Sequence, residues 1–153
     1  MQPDQAADLV AGILTRNDVS FGSRDDGRAH RVLYGSTAIY LECNQWGDDD
    51  TVVSLAATVL EQIPEDARTQ ALERINKLNC ESYFGKFCLY GDLIKLEHDL
   101  LASRMQADEL MHALGIIANR ADENDDELKK DLGGKTWGDV EEEARSEAEA
   151  LDT

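Results

Sequence analysis

Positive charge is scarce in this chain. Fifteen lysines and arginines stand against 32 aspartates and glutamates, a formal net charge of −17. Phosphate backbones are held by basic patches that release counterions, so nucleic acid is excluded as an expected partner. An anionic membrane surface is disfavoured for the same reason. A long hydrophobic run is also missing, since no stretch approaches the about 20 residues that span a bilayer. The opening residues, MQPDQAADLVAGILTRND, carry acids where a secretory signal carries positive charge, so no signal peptide is read and a cytoplasmic location is expected. Cysteine is sparse and odd in number: Cys43, Cys80 and Cys88, with no CxxC pair. That excludes a disulfide framework and a structural zinc site, and each thiol reads as a small buried apolar residue.

Catalytic motifs are absent as well. The sequence has no GxSxG elbow, no GxxxxGK[ST] phosphate loop and no GxGxxG fingerprint. Its three histidines form neither HxxxH nor HExxH. Glu97-His98-Asp99 lies in a strand-like run, where neighbours point to opposite faces, so the two carboxylates stand together with His98 behind them. Phe84-Gly85-Lys86-Phe87 lacks the other glycines of a phosphate site, and Lys86 reads as a solvent-facing strand residue. The acidic run 122–127 lacks the central glycine and spacing of an EF-hand, and Asp48-Asp49-Asp50 reads as a loop. No catalytic residue, metal ligand or cofactor is therefore assigned.

What is present is a chain of 153 residues, 42% hydrophobic, which is enough for one domain with its own core. Ala6, Leu9, Val10, Ile13 and Leu14 share one face of a helix over Asp4 to Arg16, with Asp4 as N-cap. Val19 to Ser23 is a short candidate strand, and Asp25-Asp26-Gly27 is a turn. His30 to Tyr34 and Ala38 to Trp46 read as strands around a turn at Gly35-Ser36. In the second, Ile39, Leu41 and Cys43 alternate with Tyr40, Glu42 and Asn44, the period of a half-buried strand. Thr51 to Val59 puts Val53, Leu55, Ala57 and Val59 on one face, although Leu55 to Ile63 could equally be helical. Pro64-Glu65-Asp66 opens a helix with Ala67, Ala71, Leu72, Ile75 and Leu78 as its stripe. Tyr83 to Tyr90 and Leu93 to Leu100 form a hairpin around Gly91-Asp92. A helix from Gln106 to Glu127 aligns Leu110, Met111, Leu114, Ile117, Ala118 and Ala121. The element order α-β-β-β-α-β-β-α, with room for one extra early strand, predicts an α+β fold: an antiparallel sheet with helices packed on it.

Charge is uneven along the chain. Residues 122–153 hold 13 acids and 4 bases, while the other 121 hold 19 and 11. This predicts a domain over residues 1–128 and an acidic tail over 129–153, flexible or weakly helical. Gly133-Gly134 breaks the chain, and Thr136 with Asp139 resembles a helix start ahead of Trp137 to Leu151. The tail either solubilises the protein or folds back onto its binding surface with Trp137 as anchor.

Asn76 and Asn79 at a helix end, Phe84-Gly85-Lys86-Phe87, the Gly91-Asp92 turn, Ile94-Lys-Leu-Glu-His-Asp-Leu100, and then Leu110, Leu114, Ile117 and Ala121-Asp122 carry a resemblance. The chain resembles the YbjN and type III secretion chaperone-like group, by residues over 75–122 and by element order over 4–128. It departs at Leu101-Ala-Ser-Arg, where many YbjN-like chains carry a glycine. The resemblance implies a chaperone-like α+β fold, a homodimer, and a protein or peptide client held extended on the surface, without catalysis. An acidic surface suits a basic or amphipathic polypeptide, and an exposed strand edge can accept another strand. Candidate client-binding residues are Leu9 and Ile13 on the first helix and Val32, Tyr34, Ile39 and Leu41 on the early strands; the same residues serve equally well as core. Two alternatives remain. One is a small-molecule-responsive regulator, or an enzyme assembled from His98, Tyr83 and Lys86. The other is a structural subunit of a larger assembly.

Overall fold

Alternating apolar residues on consecutive strands can be buried together only if the strands pair in register. They do so here in a six-stranded sheet. The computed structural model describes residues 1–35 and 37–152. The strands are β1 (Gly22–Arg24), β2 (Ala29–Tyr34), β3 (Thr37–Trp46), β4 (Asp50–Leu60), β5 (Lys86–Tyr90) and β6 (Leu93–Leu101), in the order β1-β2-β3-β4-β6-β5. Every neighbouring pair is antiparallel. The register aligns Val32, Ile39, Ala57, Leu96 and Phe87 in one row across five strands. None of the five is more than 1% exposed.

Helices cover this row. In α1 (Pro3–Arg16), Ala6, Ala7, Val10, Ile13 and Leu14 are buried. The helix starts earlier than Asp4, because Pro3 presets the backbone of the first turn. Gln2 is the N-cap, and its backbone N–H donates to Gln5 Oε1 at 3.0 Å. Asp4 instead accepts from Arg28 Nε at 2.8 Å. His30 pins α1 to the sheet: it is buried, with Nε2 3.1 Å from the Ala7 carbonyl and Nδ1 2.9 Å from Ser23 Oγ. The long helix α3 (Ala107–Leu132) lies against β3, β4 and β6. It extends past the expected end at Glu127 because Leu128 and Leu132 continue its buried face.

Several boundaries differ from the sequence expectation for local reasons. The first strand is later than Val19 to Ser23, since Val19 and Phe21 turn inward and pack against the core. Leu55 to Leu60 is strand, as its buried and half-buried residues alternate. After Pro64 the chain makes a single 3-10 turn, Glu65–Ala67, before α2 (Arg68–Cys80). Ala71 and Ile75 of α2 are buried, but Leu72 faces out, 45% exposed. Pairing in the hairpin begins at Lys86 rather than Tyr83, because Gly85 adopts φ +76° and lies against Leu96 and Ile117. The turn expected at Gly35-Ser36 lies partly outside the described residues.

At the C-terminus the chain changes faces. Gly133 and Gly134 both take positive φ, and Lys135 then pairs with Glu61 just beyond β4 through two backbone hydrogen bonds of 2.8 Å. Thr136 caps α4 (Trp137–Leu151), its Oγ1 accepting from the Asp139 N–H at 3.2 Å while Asp139 Oδ2 accepts from the Thr136 N–H at 3.0 Å.

Gly134 is the tightest point of this joint. A Cβ there would sit 2.6 Å from the Glu61 carbonyl oxygen, at a φ of +84°. Gly134→Ala is expected to destabilise the fold by about 2 kcal/mol or more through clash and backbone strain. Thermal unfolding checks this, and an unchanged Tm removes the joint's structural role.

Candidate peptide-binding surface

An antiparallel sheet offers a partner two edges and whichever face the helices leave open. The edges of this sheet are unequal. Along β5, Asn79 at the end of α2 uses its amide as a strand would. The Phe87 N–H donates to Asn79 Oδ1 at 2.8 Å, and Asn79 Nδ2 donates to the Phe87 carbonyl at 2.9 Å. Arg68 Nη1 also donates to the Gly91 carbonyl at 2.9 Å, beside the hairpin turn. The backbone of β5 is thus partly satisfied by side chains from α2. At the other edge, all three residues of β1 are exposed. Arg24 there stacks its guanidinium 4.8 Å from the Tyr40 ring centre.

The open face is polar and organised in rows. The row beside the buried one runs Gly22, Arg31, Tyr40, Ala56, Glu97 and Lys86, and the next pairs Glu42, Ser54 and Asp99. Small residues on β4 (Ser54, Ala56 and Thr58) floor a groove of ≈ 290 Å³ between Tyr40 and Glu42 on one side and Lys95, Glu97 and Asp99 on the other. Two of its carboxylates, Glu97 and Asp99, are engaged at the walls. Tyr90 donates to Glu97 Oε2 at 3.0 Å, and this bond to a carboxylate raises the phenol pKa to about 12. Ser54 Oγ donates to Asp99 Oδ1 at 2.7 Å, and Lys86 Nζ stands 3.9 Å from Asp99. Cys43 lies on the covered face, where burial pushes its thiol up to about 11.

The residues expected from the sequence to bind a client fall into two groups. Ile13, Val32, Ile39 and Leu41 are buried in the core, at most 1% exposed. Leu9 is half-buried against that core. Tyr34 is 49% exposed at the end of β2, beside exposed Leu33. The trio His98, Tyr83 and Lys86 is not brought together. Lys86 pairs with Glu97 and shares its face, opposite His98, and Tyr83 is 98% exposed ahead of the strand. Between His98 and His112 stands Phe84, edge-on to both rings at 6.3 and 5.8 Å.

Two features of this surface were not read from the sequence. One is the Asn79 clamp, whose only signal is an amide residue ending a helix just before an edge strand. The other is which face α4 takes, since the sequence left open whether the tail folds back through Trp137 or stays free. Its Trp137 ring lies 6.0 Å from the Arg31 guanidinium, over the open face, and α4 meets β3 and β4.

Asp139 ties this arrangement to pH. Its carboxyl is held below the usual carboxylate range, first by the hydrogen bond from Lys129 Nζ at 2.7 Å and then by the Thr136 N–H. A depressed folded-state pKa stabilises the cap above the ordinary carboxylate range and is lost as pH falls through the folded value. The start of α4 is therefore expected to loosen below about pH 4. Trp137 emission in a Trp46→Phe background follows this transition, and Asp139→Asn is expected to abolish its pH dependence.

Among the described residues, no helix is long and apolar enough to cross a membrane. A search of curated proteins gives no match. Among solved structures, the fold is similar to a chain in the crystal structure of the ExsC–ExsE complex, with a TM-score of 0.60 at 15% identity, over 82% of this chain and 95% of that one. At that identity the likeness concerns the fold. The sequence itself matches over residues 4–139 the family described as T3SS (YopN, CesT) and YbjN peptide-binding chaperone 1, and the chain belongs to that family.

Proposed function

We propose that this protein is a non-enzymatic, cytoplasmic peptide-binding chaperone that takes an extended client segment at the β1 edge and across the adjoining open face. The observation that carries the reading is the asymmetry of the two edges. Asn79 and Arg68 occupy the backbone of the β5 hairpin, while β1 stands exposed. An added strand gains backbone hydrogen bonds, and its alternate side chains meet the surface beneath it. Those side chains would meet Arg31 and Tyr40 beside the edge, while the carboxylates of the groove lie further across the face, which favours a client whose lysine or arginine reaches past the edge. Tyr34 and Leu33 lie at the end of β2 and supply apolar contact, with Leu9 at the margin of α1. In this reading the acidic segment 129–153 is an appendage of the 1–128 domain, attached through Leu132 and the Lys135 bridge.

Hydrogen exchange on the complex tests the edge assignment, with the client first captured from lysate of the source cells at low salt. Amides of Gly22–Arg24 are expected to slow on binding, with those of Lys86–Tyr90 unchanged. Protection at β5 instead would sink the proposal.

The homodimer belongs to the same reading. Leu72 on α2, Tyr83 ahead of β5 and Tyr90 at its end are all large and exposed, and exposed apolar surface of this kind marks protein interfaces. Sedimentation equilibrium is expected to give a dimer that Leu72→Ser with Tyr83→Ser converts to monomer. A wild-type chain that stays monomeric refutes the assignment.

A further inference from the structure

We propose that α4 is a displaceable cover built into the fold, lying on the open face beside β1 and giving way when an extended polypeptide binds there. The inference rests on the peptide-binding reading above.

The root of α4 is rigid. The chain leaves α3 on the covered face and rounds the end of β4 through Gly134. It is fixed there by the paired backbones of Glu61 and Lys135 and by buried Thr136. The helix that follows is loosely held. No residue of α4 is buried, although it runs for 15 residues. Its ion pairs to its own root, Lys129 to Asp139 at 2.7 Å and Lys135 to Glu143 at 2.6 Å, are all partly exposed. Exposed ion pairs of this kind contribute little against water. A firm root with a weakly docked blade is the mechanical form of a hinge.

Position gives the hinge its meaning. Trp137 stands over Arg31, which pairs with Gly22 of β1 and Tyr40 of β3. Ala38, on the same side of β3 as Tyr40, is only 2% exposed, although its partner Leu33 on β2 is 58% exposed. The first turns of α4 thus occupy the sheet one strand in from the exposed edge. Any strand added at β1 whose side chains reach inward meets this helix. Charge works in the same direction. Residues 137–153 carry seven acids and one base, and the groove on the same face holds Glu42, Glu97 and Asp99. The groove's three carboxylates outnumber its one lysine, Lys95, so its net charge repels acidic α4 and attracts a basic client segment.

The test uses the full chain and a chain ending at Thr136, both carrying Trp46→Phe, so that Trp137 is the one tryptophan of the full chain. The probe is a fluorescein-labelled unstructured peptide in which lysine alternates with threonine and leucine. A cover that is closed most of the time lowers apparent affinity by the open fraction, so the shortened chain is expected to bind about ten-fold tighter. In the full chain, the probe is expected to shift Trp137 emission to the red and to increase its quenching by acrylamide. Should the shortened chain fold poorly, the Lys129→Gln, Lys135→Gln double variant serves instead, and is expected to expose Trp137 without any probe. Equal affinities with unmoved Trp137 emission overturn the cover and leave the peptide-binding reading standing. No binding by either chain overturns both.

Discussion

Register is the constraint on which the rest of this structure depends. Val32, Ile39, Ala57, Leu96 and Phe87 meet in one row because five strands pair without slippage at that level. A slip of one residue in any strand would exchange that row for its neighbour. It would bury Arg31, Tyr40, Glu97 or Lys86 under α1 and α3 and turn leucine and isoleucine to water. Buried charges without partners are costly, so the apolar row and the charged row enforce each other. The helices follow from this. Helices α1 and α3 cover the face that must be hidden, and the remaining face stays polar, with α4 lying across part of it.

The edges show a second level of control. A sheet with two open edges invites pairing at either side, and natural proteins close edges they do not use. Here α2 ends beside β5, and Asn79 supplies one donor and one acceptor to Phe87. The amide side chain has the donor and acceptor geometry of a peptide group, which lets it stand in for a neighbouring strand. The asymmetry between β5 and β1 leaves one edge partly satisfied by side chains and the other exposed.

The excess of negative charge has different consequences in different parts of the molecule. In the groove, carboxylates are held by Tyr90, Ser54 and Lys86 and form part of an ordered surface. In α4 they line a helix with nothing buried, tied by a few lysines to its own root. The two acidic regions share a face of the sheet, and the basic patch of Arg24 and Arg31 lies toward β1. The surface is therefore graded from basic at the edge to acidic at the centre, a pattern that total charge conceals.

Much of the fold was legible in the chain because its signals are local. The period-2 runs at Ala38 to Trp46 and Leu93 to Leu100, the Gly91-Asp92 turn, and the apolar stripes of α1 and α3 each follow from a few neighbouring residues. The Thr136 and Asp139 start of α4 was equally readable. The candidate binding surface was not, because Ile13, Val32, Ile39 and Leu41 carry the same apolar signal whether they face a client or a helix. Only packing places them in the core. Likewise Leu72 sits at the spacing of a buried stripe yet faces out, since α2 lies at the margin of the sheet. The sequence by itself determined the α+β class, the hairpins, the apolar faces and the acidic balance, all of which depend on periodicity and composition. The tertiary structure decided which edge is closed, which face is open and where α4 lies. Those depend on contacts between residues far apart in the chain, such as Asn79 with Phe87, Glu61 with Lys135 and Arg31 with Trp137, and no local pattern encodes such pairings.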